Sequence, residues 1–274
     1  MRRLAAFALL ACAAGVEAAD VPPHLGERGL ADYQRFRASA PHRAFVIAPG
    51  GAWAMRIDAE SAAAALDGAL EDCRRLTAQK CVPYALDERI VFDAKAWGGL
   101  WGPYKSRADA ARVPVGMKPG ERFPDLALRD PRNKEFNLSS QRGKVIILHF
   151  WGSWCAPCRK EMPDLAALRD ALKADKRIAF VLTQVREPFA RSRAWMTERK
   201  LDLPLYDSGV QGDADGMLSL AGGGRLADRE VATVFPSTYV LDRHGIVLLA
   251  HFGPVPRWSE YAPFLRDAAA RSGN

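Results

Sequence analysis

The sequence predicts an α/β protein, a central mixed sheet flanked by helices, preceded by a small α+β unit of order ββαββ. Three observations carry that reading. Val145 to Phe150 is a β-branched and aromatic run that suits a strand covered on both faces, and it leads into Cys155-Ala156-Pro157-Cys158 and a helical pattern. A second apolar run, Arg177 to Thr183, is followed by a helical stretch from Pro188 to Lys200, the crossover that makes neighbouring strands parallel. Well upstream, four short apolar runs bracket one alanine-rich amphipathic segment.

The elements follow in chain order. Arg2 and Arg3 precede an apolar run from Leu4 to Val16 and the small residues Ala18 and Ala19, so residues 1–19 have the charge, length and cleavage pattern of a secretory signal peptide. Leu9-Leu10-Ala11-Cys12 offers a second reading, a lipoprotein box acylated at Cys12. Residues 20–40 show little periodicity and are expected to be an extended tether. The small unit spans 41–93: strands Arg43 to Ala48 and Ala52 to Ile57 around Pro49-Gly50-Gly51, a helix on which Ala62, Ala65, Leu66, Ala69, Cys73 and Leu76 share a face, and strands Cys81 to Leu86 and Arg89 to Phe92. Asp58 stands where that helix's N-cap belongs. Residues 94–114 read as a linker whose Trp97, Trp101 and Tyr104 should pack against one of the units rather than face water.

The second unit, 115–274, opens with a hairpin from about Leu126 to Phe136. After the strand at 145–150 comes a helix from Ala156 to Leu172, in which Cys158, Glu161, Leu165, Leu168 and Leu172 share one face and Pro163 introduces a kink. A strand at 203–206 precedes an irregular stretch to Ala232, then a hairpin of Ser237 to Leu241 and Ile246 to Phe252, and a last helix from about Ser259 to Ala270.

The formal charge of +7 falls to +6 if Arg2, Arg3 and Glu17 are removed with a signal segment, and it is spread along the chain. No basic stripe interleaves with aromatic residues, so nucleic acid is not an expected partner. Export into an oxidising compartment lets disulfides persist, and the four cysteines beyond Cys12 pair off as Cys73 with Cys81 and Cys155 with Cys158. The first pair reads as a structural bridge, its rival being a second redox site. The second pair lacks a matching ligand pair for zinc, which takes four, so no metal site is expected. Cys155 falls at the first turn of a helix, where free N–H groups and the dipole favour a thiolate and lower its pKa from about 8.5. It would be the exposed attacker on a substrate disulfide, and Cys158, one turn in, would resolve the mixed disulfide. Pro157 fixes the turn between them, and Trp154 walls the site.

Val115 to Leu128 (VGMKPGERFPDLAL), Gly143 to Pro163 (GKVIILHFWGSWCAPCRKEMP) and Phe235 to Gly245 (FPSTYVLDRHG) together resemble the TlpA/ResA branch of the thioredoxin superfamily, over residues 115 to about 272. The resemblance implies a thioredoxin-like fold with no cofactor. It implies that Pro236 is cis and faces the dithiol, that Phe235 offers backbone groups to an extended substrate, and that Glu161 matches the acidic residue of ResA-like reductases, exchanging a proton with Cys158. Against that stands the plain alternative of Glu161 as a solvated first-turn acid. His149 departs from the pattern, because thioredoxin has a buried aspartate there and this branch often asparagine. It reads as a satisfied core residue, with a proton relay beneath Cys158 as the functional rival.

The function this supports is that of an exported thiol-disulfide oxidoreductase, a reductase of particular periplasmic protein disulfides. By resemblance its electrons come from a membrane thiol-transporting reductase, and its substrates are apocytochrome c cysteines or copper-site proteins. The membrane itself is a partner only if Cys12 is lipidated. A disulfide oxidase or isomerase, and a metallochaperone binding Cu(I) through the same pair, are the alternatives. A peroxiredoxin is disfavoured because Gly152 stands where a Thr or Ser is needed. Asp213-Ala214-Asp215-Gly216 and Gly222-Gly223-Gly224 lack the remaining residues of a calcium or phosphate loop and read as surface.

Overall fold

The computed structural model describes residues 21–271 except 78, 102–105, 213–215 and 256. The expected signal segment with Cys12, Tyr104 and the Asp213-Ala214-Asp215 loop lie outside the described residues.

Residues expected to form an extended tether instead contain a helix, α1 (Glu27–Ala38). Its buried residues Gly29, Tyr33 and Phe36 recur at helical spacing among charges that mask the stripe. Tyr33 packs on Phe45 and Tyr84 with ring centroids 5.1 and 5.4 Å apart, which ties α1 to a sheet rather than leaving it free. That sheet is antiparallel, in the order β2 (Trp53–Arg56), β1 (Ala44–Ile47), β3 (Val82–Leu86), β4 (Arg89–Ile90). Helix α2 (Ala62–Leu76) covers one face, burying Ala65, Ala69 and Cys73 against Ala44, Val46 and Ala48. Ser61, not Asp58, caps it: the Ser61 hydroxyl accepts the Ala64 N–H, whereas Asp58 occupies a left-handed turn at φ 55°. Cys73 is bonded to Cys81, fastening the end of α2 to the segment before β3.

The presumed linker is also helical, with α3 (Ala94–Trp101) and α4 (Arg107–Arg112). Trp97 and Trp101 are buried, as their size demands. Both rings contact His24, and Trp101 also meets Phe264 of the C-terminal helix at 5.3 Å. His24 receives the Gly50 N–H on Nδ1 and meets Asp267 through Nε2 at 2.9 Å, so this aromatic cluster joins the small sheet to the far end of the chain.

The larger sheet runs β11 (Arg225–Ala227), β10 (Met217–Leu220), β5 (Leu126–Arg129), β9 (Leu205–Asp207), β8 (Ile178–Gln184), β7 (Val145–Trp151), β12 (Ser237–Leu241), β13 (Val247–Phe252), with β6 (Glu135–Asn137) paired to β5. Strands β7, β8 and β9 are parallel and the other pairs antiparallel, the mixed sheet the sequence predicts. Between β9 and β12 the expected irregular stretch holds the β10–β11 hairpin, turned by Gly222-Gly223-Gly224, and α7 (Asp228–Val231). Gly223 and Gly224 have φ 83° and 84°, the left-handed conformation such a turn needs and glycine adopts freely.

Every residue of β7 is buried, and the pleat divides them. Val145, Ile147 and Trp151 face a core shared with α5 (Ala156–Leu172) and α8 (Ala262–Arg271), while Ile146, Leu148 and Phe150 face the opposite core with Leu126, Val181 and Tyr239. His149 shares the parity of Ile147 and Trp151, so the strand delivers it towards α5. No helix among the described residues is long and apolar enough to cross a membrane.

Candidate functional site: a dithiol over a buried carboxylate and imidazole

Strand β7 ends at Trp151, and three residues later Cys155 is the N-cap of α5. Its sulfur accepts the Cys158 N–H at 3.2 Å, and it is bonded to the Cys158 sulfur. A sulfur at this position faces the unpaired N–H groups and positive end of the helix dipole, which stabilise negative charge when the bond opens. In this bridged state the expectation of an exposed attacker needs correction: Cys155 is 4% exposed and Cys158 wholly buried. Trp154 instead is the exposed element, at 38%. Its indole N–H donates to the Val185 carbonyl at 3.0 Å, and its ring meets Phe235 edge-on at 5.2 Å. A Cβ at Gly152 would stand 2.2 Å from the Trp154 Nε1, so a Thr or Ser there would displace the indole.

The Phe235–Pro236 peptide is cis, and Pro236 accepts the Gly253 N–H. On its other side Phe235 carries the Arg186 guanidinium, 5.0 Å from the ring centroid and held by Asp228 at 2.6 and 2.7 Å. Pro157, in the first turn of α5, is exposed. Trp154, Phe235 and the dithiol thus share one rim.

Beneath the dithiol, α5 and β7 bring together two groups that lie twelve residues apart in the sequence. Glu161, one turn below Cys158, is 5% exposed, so the solvated-acid alternative fails. Its Oε2 accepts the Val255 N–H at 2.7 Å, and burial pushes its pKa up to about 7 against the lowering effect of that bond. His149 Nε2 stands 3.3 Å from Glu161 Oε1, and its Nδ1 is 2.9 Å from the Thr238 hydroxyl, the residue opposite it on β12. Full burial pushes His149 down to about 3. Nε2 and Oε1 are buried, and apart from this 3.3 Å approach to each other neither meets a hydrogen-bonding group among the described residues. The contact is therefore between a neutral imidazole and a carboxyl that holds a proton up to about neutral pH, not an ion pair. Val255 and Trp258 close this pocket from the C-terminal side, with the Trp258 ring edge-on to His149 at 5.9 Å and the Trp258 N–H on Asp164.

Several groups here escape a reading of the sequence alone. Thr238 and Val255 matter only through pairing across β12 and closure of the C-terminal loop. Glu187 is 2% exposed and accepts bonds from the Ser153 N–H, the Ser153 hydroxyl and the Ser192 hydroxyl, anchoring the loop before the dithiol. Its setting in sequence, Thr183-Gln184-Val185-Arg186-Glu187, carries no local signal of that role. Among the described residues no cluster of three His, Cys, Asp or Glu could hold a metal ion.

A family model described as Redoxin matches residues 118–263. The thioredoxin-like protein YneN of Bacillus subtilis (strain 168) is 27% identical over 161 residues, 57% of this chain and 83% of that one. The thiol-disulfide oxidoreductase ResA of Geobacillus thermodenitrificans (strain NG80-2) is 30% identical over 128 residues, 47% of this chain and 66% of that one. A crystal structure of a thiol:disulfide interchange protein of the thioredoxin family from Chlorobium tepidum TLS superposes with a TM-score of 0.40 and 23% identity, covering 54% of this chain and 95% of the other. Residues 21–117, which hold the small sheet, lie outside the matched family region.

Proposed function

The chain belongs to the redoxin family as a TlpA/ResA-like, thioredoxin-like thiol-disulfide oxidoreductase, and from that premise we propose that it is an exported reductase of specific protein disulfides. The observation that carries the proposal is the bridged Cys155–Cys158 pair at the N-terminus of α5, directly above a protonatable Glu161. In the reduced enzyme the Cys155 thiolate attacks one sulfur of the substrate disulfide. A mixed disulfide forms, the substrate's own S–S bond breaks, and the leaving sulfur takes a proton. Cys158 then gives up its proton and attacks Cys155, releasing the second substrate thiol and closing the internal bond. Two electrons pass to the substrate, with one proton from Cys158 and one from solvent.

Glu161 supports this cycle as the group that exchanges a proton with Cys158. A carboxyl near 7 is matched to a thiol that must be neutral in one half of the cycle and ionised in the other. His149, neutral throughout the physiological range, acts as the relay through which Thr238 orients that proton. Trp154, Phe235, Pro157 and Pro236 form the docking rim for an extended segment. The arginine-flanked apolar run and small residues at 1–19 support export, with acylation of Cys12 as the second reading of that segment and a membrane thiol-transporting reductase as electron source. Apocytochrome c and copper-site proteins are the proposed substrates. The domain division proposed is a small disulfide-fastened unit, 41–93, ahead of the redox unit from 115.

A Cys158→Ser variant tests the proposal by trapping the mixed disulfide. Expression in the native compartment should yield partner proteins bound through Cys155 that a reductant releases. A variant that captures no partner, while wild type and variant are equally well folded, overturns it.

A further inference from the structure

The loop before the dithiol is one wall of an open cleft of about 950 Å³, whose other wall is α6 (Phe189–Glu198) and the turn after it. Four arginines line it: Arg159 from the first turns of α5, and Arg191, Arg193 and Arg199 from the α6 side. Among the described residues, Glu198 is the carboxylate that lines the cleft, and Glu187 meets it through Arg191. Glu187 is buried and already accepts bonds from Ser153 and Ser192, with Arg191 at 3.7 Å as a further neighbour, and Glu198 is engaged by Arg199 at 2.6 Å. Arg159 is held in place by the Ser153 carbonyl at 2.8 Å, and Arg193 lies over the Phe189 ring at 5.8 Å. Neither pairs with a carboxylate among the described residues. Arg191 is itself 68% exposed, so its charge also faces the cleft's solvent.

We propose that this cleft is a specificity subsite that selects disulfides flanked by acidic residues, seating the Asp or Glu side chains next to the substrate's cysteine. The inference rests on the oxidoreductase reading and adds a substrate chemistry to it. The cleft adjoins the dithiol: Ser153 lines it two residues before Cys155, and Arg159 lines it directly after Cys158, so residues flanking a substrate cysteine at Cys155 come within range of its charge. A guanidinium presents two parallel donors to a carboxylate, a match that adds direction to the attraction. The same cluster is a positive field beside the attacking thiolate, so it steers anionic segments inwards and repels basic ones.

The test uses the reduced full-length protein and three disulfide-closed peptides alike except for flanking Glu, Gln or Lys residues. At low salt the Glu peptide should be reduced about tenfold faster than the Lys peptide. In about 1 M salt, where the screening length is about 3 Å, that ratio should fall towards one. An Arg191→Glu/Arg193→Glu variant, altered only at exposed α6 positions, should reverse the order of the two charged peptides. Equal rates for the Glu and Lys peptides at low salt, or an order that survives the charge reversal, would overturn the subsite. Failure of wild type to reduce even the Gln peptide would instead remove the reductase reading, and the inference with it.

Discussion

Replacing Glu161 by Gln tests the buried carboxyl without disturbing its shape, because the amide oxygen still accepts the Val255 N–H seen at 2.7 Å. In the folded protein the carboxyl binds its proton up to about pH 7, against an ordinary value of 4.5. Between those values the native state holds more protons than the unfolded chain, so the group's stabilisation is complete below about pH 4.5 and is lost as pH rises through about 7. A difference of about two and a half units corresponds to about 3 kcal/mol. Urea unfolding of the oxidised wild type and Glu161→Gln at pH 4, 6 and 8 isolates this contribution, since groups common to both cancel in the difference. The stability of wild type relative to the variant should fall by about 3 kcal/mol from pH 4 to pH 8, most of it above pH 5. A difference that stays flat across this range would refute a protonated Glu161 and, with it, the proton exchange assigned to this residue.

Further outcomes follow from neighbouring features. His149 is lowered by burial to about 3, so its contribution is present above about 6.5 and lost as pH falls towards 3; His149→Asn should therefore move the acid-unfolding midpoint to lower pH than wild type. Replacing Cys73 and Cys81 together by Ser opens a loop of sequence separation 8 and should lower stability by roughly 2 to 3 kcal/mol, as read from the urea midpoint, while reduction of the Cys155–Cys158 pair proceeds. Ser61→Ala removes the α2 N-cap and should cost about 1 kcal/mol in the same assay.

The elements most legible in the sequence are those whose pattern is dictated locally. The run at 145–151 is apolar on both faces because the strand is covered on both, and Cys158, Glu161, Leu165, Leu168 and Leu172 declare a helix face by spacing alone. Helix α1 escapes because Gly29, Tyr33 and Phe36 are its whole buried stripe, set among Glu27, Arg28, Asp32, Arg35 and Arg37. The β10–β11 hairpin escapes for a related reason: its strands are three or four residues long, and Leu218 is the one fully buried side chain in them. Its glycine turn, read as mere surface, is what makes the reversal. At the site, the identity of the dithiol is local, whereas the meeting of His149 with Glu161 depends on the pleat parity of β7 and the seating of α5 upon it. Sequence spacing alone allowed Glu161 to be a solvated acid; Val255 and Trp258, packed over it from far along the chain, decide otherwise. Glu187 and Thr238 are legible only once three-dimensional neighbours are known, because each acts on a residue 34 or 89 positions away.

The central claim, a reductase dithiol, is tested most directly by the equilibrium reduction potential of the Cys155/Cys158 pair, titrated against glutathione and dithiothreitol with acid quenching and repeated across pH. The account predicts a reversible two-electron couple near about −270 mV or lower at pH 7. A value approaching about −120 mV would make the pair an oxidant and contradict the direction proposed for it.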